Sequence, residues 1–173
     1  MISYKERLHP VTTFIFDIDG VLTNGEIGFV QGSVLRMLHA KDGYAMQYAN
    51  RKGYRLLVIS GAHCPDIKAR LERIGVAEVR LGSYNKLAIY KELKEIHGFS
   101  DEQVMYMGDD IPDIPLLKVV GISACPQDAV QEVKAVSHYQ SHKDGGKGCV
   151  RDMIEQVMRV QGKWLDGDDA YFW

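Results

Sequence analysis

The chain has 173 residues, 46% hydrophobic and 25% charged, with a formal net charge of −2. That is one domain's length with ample material for a core, and the near-neutral balance without a basic block excludes broad non-specific binding to nucleic acid. Cys64, Cys125 and Cys149 form no CxxC pair, which excludes a disulfide framework or zinc knuckle.

In chain order, residues 11–16 form a β-branched and aromatic run, apolar nearly throughout, as a strand covered on both faces should be. Residues 26–30 and 34–38 flank Gln31-Gly32-Ser33 and read as a β-hairpin, about 25–39, with a glycine-containing turn. Residues 43–52 predict a helix closed by Gly53, and residues 54–59 a second long strand. Pro65 opens a helix carrying Ile67, Leu71 and Ile74 on one face. A strand over 76–81 precedes a helix marked by Leu87, Tyr90, Leu93 and Lys94 and ending at Gly98. Residues 104–107 are a further strand, with short ones at 119–124 and 136–139. Val150, Met153, Ile154, Val157 and Met158 stripe the last helix, and residues 163–173, acidic and then aromatic, read as a tail.

Strands alternating with helices of this length predict a single domain, 1–173, of α/β class. Its sheet is doubly wound and mostly parallel in a three-layer, Rossmann-like arrangement. The hairpin stands where such a domain normally enters a helix. The start, MISYKERLHP, lacks a signal peptide's apolar stretch and no run reaches membrane-spanning length, so a cytoplasmic protein with no membrane partner is expected.

Ligands of a parallel α/β sheet gather beyond the carboxyl ends of its strands. The first strand ends in Asp17-Ile18-Asp19-Gly20 and the second long strand in Ser60-Gly61. Lys86 opens a helix, and a later strand ends Gly108-Asp109-Asp110 with Asp113 beyond it. Carboxylates so crowded drive one another toward the neutral form unless a cation neutralises them. A hard divalent ion taking one or two carboxylates, waters and substrate phosphate describes magnesium. Asp17 and Asp109 are the expected side-chain ligands, with the Asp19 backbone carbonyl as a third. Ser60 and Lys86 would hold phosphate oxygens while Asp17 attacks phosphorus. Asp19, two residues along an extended segment, would protonate the leaving oxygen and later activate water. Unequal distances from the metal would push the two pKa values apart.

The run Phe14-Ile15-Phe16-Asp17-Ile18-Asp19-Gly20-Val21-Leu22-Thr23 resembles the first motif of the haloacid dehalogenase superfamily of phosphatases. Val58-Ile59-Ser60-Gly61 resembles the second, Lys86 the third, and Gly108-Asp109-Asp110-Ile111-Pro112-Asp113 the fourth, in the same order. The hairpin without a large cap, Lys41-Asp42-Gly43, and the glycine-rich stretch from Gly145 to Arg151 are similar to one subgroup. Its members act on 3-deoxy-D-manno-octulosonate 8-phosphate, on the path to lipopolysaccharide, or on nine-carbon keto-deoxy sugar acid phosphates. The resemblance implies hydrolysis of such an ester to sugar acid and phosphate. It also implies a homotetramer with associated hairpins, in which neighbouring subunits complete each site. Arg70 would be the arginine lent to a neighbour, with His39, Lys41, Asp42, Gly43 and Gly61 near the sugar. Ala62 stands where subgroup members often carry a charged residue, which tilts the choice toward the eight-carbon acid. Cys149 and Asp152 replace the usual Ala and Glu.

Each residue also has a plainer reading. The Asp pair could cap a turn, Ser60 a helix, and Lys86 and Arg70 could sit in solvent. Of Asp110 and Asp113, one is expected to orient Lys86 or a metal-bound water and the other to cap a helix. The glycine-rich loop could be a simple connection. The remaining histidines show no zinc spacing. A phosphoaspartate receiver module also combines an α/β fold, acidic cluster and lysine. Its aspartate, however, ends the third strand and its lysine follows the last. An idle paralogue kept for assembly fits poorly with a complete acidic set. Ile27, Phe29, Val34, Leu35 and Met37 make the hairpin an apolar edge that needs covering, independent support for assembly.

Overall fold

Strand β1 (Thr13–Phe16) is hydrogen-bonded to parallel neighbours on both sides in a computed structural model that describes residues 3–172. One neighbour is β4 (Arg55–Ile59), itself beside β5 (Glu78–Arg80). The other is β6 (Val104–Met107), followed by β7 (Ile122–Cys125) and β8 (Tyr139–Gln140). The order β5-β4-β1-β6-β7-β8 is parallel throughout. The chain winds outward in both directions from β1, the arrangement that opens a crevice at the strands' carboxyl ends.

Side-chain alternation divides the core into two layers. Phe14 and Phe16 face α2 (Ala40–Arg51), α3 (Pro65–Arg73) and α7 (Cys149–Val160) through Met46, Leu71 and Met153. Ile15 faces α4 (Lys86–His97), α5 (Ile114–Leu117) and α6 (Gln131–Lys134) through Tyr90, Leu116 and Val133. Each such side chain, taken fully from water, contributes on the order of 1.5–3 kcal/mol. The predicted three-layer α/β architecture is present. Among the described residues no helix is long and apolar enough to cross a membrane.

The hairpin is two short antiparallel strands, β2 (Gly28–Val30) and β3 (Ser33–Leu35), paired Phe29 to Val34 and exposed on both faces. Gln31 and Gly32 both take positive φ, as a turn matched to strand twist requires.

Elsewhere the structure departs from the periodicity. α2 begins at Ala40, before Gly43, because Asp42 is buried and accepts from the Arg151 N–H of the adjacent α7. The helices α1 (Tyr4–Leu8), α5 and α6 are too short to show a period. The terminal segment folds against α2: Trp164 is buried edge-on to Tyr48 at 5.4 Å. Lys52 Nζ reaches Asp166 at 2.8 Å and Asp169 at 2.9 Å, and the Tyr44 hydroxyl donates to the Ala170 carbonyl. Trp173 lies outside the described residues.

Candidate active site

Register sets the site. Phe16 pairs with Val58 on one side and Met107 on the other, so Asp17, Ser60 and Asp109 leave the sheet close together. The Asp17 N–H still donates to the Met107 carbonyl at 3.1 Å. The chain then makes a wide turn over Ile18–Leu22 instead of a helix. Gly20 takes φ +79° in that turn, and a Cβ there would overlap the Asp109 carboxylate. Gly145 is fixed similarly, because a Cβ would overlap the Gly20 carbonyl oxygen. The glycine-rich loop is therefore packed on the turn carrying Asp19, with the Gly146 N–H donating to the Val21 carbonyl at 2.9 Å.

Asp17 is buried. One oxygen accepts from the Ile18 N–H at 2.7 Å and the other lies 2.7 Å from Lys86 Nζ. Burial pushes its carboxyl up to about 6, against the pull of the Lys86 charge. Lys86 extends from the first turn of α4 and reaches Asp113 Oδ1 at 2.5 Å. Burial opposes its charge, but Asp17 and Asp113 more than offset this and hold its pKa above the ordinary value.

Asp113 also accepts from the Tyr106 hydroxyl at 2.6 Å and from the backbone N–H groups of Asp109 and Asp110 at 2.9 and 3.2 Å. Asp110 caps the turn after β6 by accepting from the Ile111 N–H at 2.7 Å. Burial, with the charges of Asp17 and Asp113 added, pushes Asp109 up to about 8. Oxygens of Asp17, Asp109 and Asp113 lie within 4.8 Å of one another. Ser60 is buried beside them, its Oγ accepting from the Ala62 N–H at 3.2 Å.

Asp19 is held from the hairpin side. Its carboxylate accepts two bonds from Arg36, Nε at 2.8 Å and Nη2 at 3.0 Å, and one from the Thr23 hydroxyl at 3.2 Å. Sequence reading left out Arg36. The available signal was a lone charge on an apolar return strand, Val34-Leu35-Arg36-Met37-Leu38. Tyr106 was missed for the opposite reason, being indistinguishable from a core aromatic.

Asp17, Asp19, Ser60, Gly61, Lys86, Asp109, Asp110 and Asp113 line one cleft of about 420 Å³. Of the expected sugar contacts, Gly61 joins them, whereas the others do not within one chain. His39, Asp42, Gly43 and Arg70 line a separate cavity of about 170 Å³, and Lys41 and Arg151 another of about 420 Å³. Asp42 is bound up structurally: it accepts from the Arg151 N–H at 2.7 Å, tying α2 to the first turn of α7, and burial raises its pKa.

Residues 74–151 match the family model for haloacid dehalogenase-like hydrolases. The chain is 32% identical over 161 residues to the 3-deoxy-D-manno-octulosonate 8-phosphate phosphatase of Haemophilus influenzae, covering 92% of this chain and 89% of that protein. The solved structure of the Yersinia pestis enzyme of that name superposes with a TM-score of 0.91 at 30% identity, covering 94% of this chain and 88% of the other. The Moraxella catarrhalis enzyme, solved with magnesium ion, phosphate ion and KDO, gives 0.89 at 26% identity over 91% of each chain.

Proposed function

This chain belongs to the haloacid dehalogenase superfamily and is a phosphatase, and we propose that it hydrolyses its ester through a phosphoaspartate on Asp17. The observation that carries this reading is Asp17 itself. It is a buried carboxylate at the tip of the central strand, paired with Lys86 and facing an open cleft ringed by four further aspartates.

In the first half-reaction an Asp17 oxygen bonds to phosphorus as the ester P–O bond breaks, and Asp19 gives its proton to the departing alkoxide. In the second, water attacks the phosphoaspartate while Asp19 takes the water's proton. Phosphate leaves, and both aspartates return to their starting state. Lys86 and the Ser60 hydroxyl hold charge on the transferring group.

The residues fit a magnesium ion. Asp17, Asp109 and Asp113 gather three carboxylates beside the single ammonium of Lys86, and Asp109 is pushed far toward its neutral form. All the donors are hard oxygens. Asp113 is already engaged by Lys86, Tyr106 and two backbone N–H groups, so Asp17, Asp109 and the Asp19 carbonyl are the proposed ligands. Magnesium bound there supplies positive charge to the phosphoryl oxygens.

The proposed substrate is 3-deoxy-D-manno-octulosonate 8-phosphate, on the strength of the relatives. The proposed assembly is a homotetramer in which Lys41 or Arg70 of one subunit approaches a neighbour's cleft. Phosphate release from a panel of eight- and nine-carbon sugar acid phosphates, with and without magnesium, tests this. Preference for a nine-carbon ester would overturn the substrate, and absence of magnesium dependence would overturn the cofactor.

A further inference from the structure

The Arg36–Asp19 ion pair sits on the wall between two openings. Asp19 lines the acidic cleft, whereas Arg36 lines a second opening of about 340 Å³ between the hairpin and the start of α3. Arg36 is nearly withdrawn from solvent while its partner is about a third exposed, the side chains being 9% and 30% accessible. A buried guanidinium needs an anion, and a two-pronged carboxylate satisfies it best. In this state the anion is Asp19, gripped through both oxygens. An aspartate held in that way is not free to turn toward a leaving oxygen, so a productive complex requires a replacement.

Resting on the phosphatase reading above, we propose that Arg36 is the receptor for a carboxylate on the substrate's leaving group. Arg36 exchanges Asp19 for that carboxylate as the ester enters. The opening beside Arg36 is next to the acidic cleft and has room for a sugar-sized group. His63, at its α3 end, offers a second polar contact, and Asp66 discourages a second anion there. The exchange makes the leaving group's own charge the signal that releases Asp19, which takes up a proton from water in the cleft before it acts as the acid. It also gives a minimal hairpin cap a means of selection without a large cap domain. An uncharged sugar phosphate leaves the Arg36–Asp19 pair intact and is turned over poorly.

The test compares kcat/KM for 3-deoxy-D-manno-octulosonate 8-phosphate, for an uncharged sugar phosphate with a similarly poor alcohol leaving group, and for p-nitrophenyl phosphate. Wild type, Arg36→Ala and Arg36→Lys are each assayed, with folding checked by thermal unfolding. Arg36→Ala should lower the ratio of carboxylated to uncharged sugar phosphate by about tenfold or more, and Arg36→Lys should recover part of it. An unchanged ratio in Arg36→Ala, or equal losses on both sugar phosphates, overturns the exchange. Failure of the phosphatase reading looks different: wild type then releases phosphate from none of the three, and the exchange falls with it.

Discussion

Lys86 Nζ and Asp113 Oδ1 lie 2.5 Å apart with both side chains buried, and Asp17 takes the other side of the ammonium at 2.7 Å. Removing one member of a buried ion pair strands the other, at a typical cost of about 3–5 kcal/mol, whereas removing both charges is far milder. Lys86→Met should therefore destabilise the fold strongly in urea without magnesium. Adding Asp113→Asn should recover much of the loss without restoring turnover. Equal stability of single and double variants would mean the pair is solvated.

Asp17→Asn keeps volume but removes the proposed nucleophile, so phosphate release should fall by at least about a thousandfold with the fold intact. Activity within about tenfold of wild type would remove Asp17 from that role.

Asp19→Asn should depend on the leaving group. Sugar alkoxides need a proton and should suffer severely, whereas p-nitrophenolate leaves without one and should suffer less. Equal losses would argue against Asp19 as the acid.

The terminal segment makes a prediction about stability alone. Trp164 is buried against Tyr48, and Lys52 is clamped by Asp166 and Asp169. Trp164→Ala should cost about 3 kcal/mol in chemical unfolding, whereas Lys52→Ala, whose carboxylate partners are solvated, should cost far less. The reverse ranking would show that the charges, not the indole, hold the segment.

The acidic cleft was legible in the sequence because strand ends are local. Four β-runs followed by Asp17, Ser60, Lys86 and Asp109 needed only a parallel sheet to bring them together. What stayed hidden depends on distant partners. Asp42, expected near the sugar beside Lys41, also has a structural partner that its neighbours in sequence do not announce, the Arg151 N–H. Arg36, which carried no expectation, meets Asp19 across the turn from the hairpin. The acidic-aromatic end resembled a tail because nothing in its composition shows that Tyr44 and Tyr48 of α2, and Lys52 just beyond it, receive it.

The hairpin exposes Phe29 by 78%, with Ile27, Val34, Leu35 and Met37 about half exposed or more. So large an apolar edge favours association, which supports the proposed tetramer. Wild type should scatter light as a tetramer at micromolar concentration, and Phe29→Lys should shift it toward smaller species. A monomeric wild type would defeat this and would leave Arg70 and Lys41 without a neighbour's cleft to serve.

The acidic cluster makes stability depend on pH in an unusual direction when metal is absent. Asp109 titrates near 3.8 when free and is pushed up to about 8 in the fold; Asp17 goes from 3.8 to about 6. Between those values the folded protein retains protons that the unfolded chain has released. Stability therefore falls as pH rises through that window, since folding then requires charging buried carboxylates. Magnesium binds the deprotonated forms, so its stabilising effect should grow over the same range. Melting temperatures measured from about pH 5 to about pH 9, in chelator and in excess magnesium, should diverge as pH increases. Asp109→Asn should flatten the chelator curve and shrink the magnesium gap. A magnesium gap that stays constant with pH would place the ion away from Asp109 and Asp17, and a chelator curve that rises toward pH 8 would show that folding does not raise these two carboxyls.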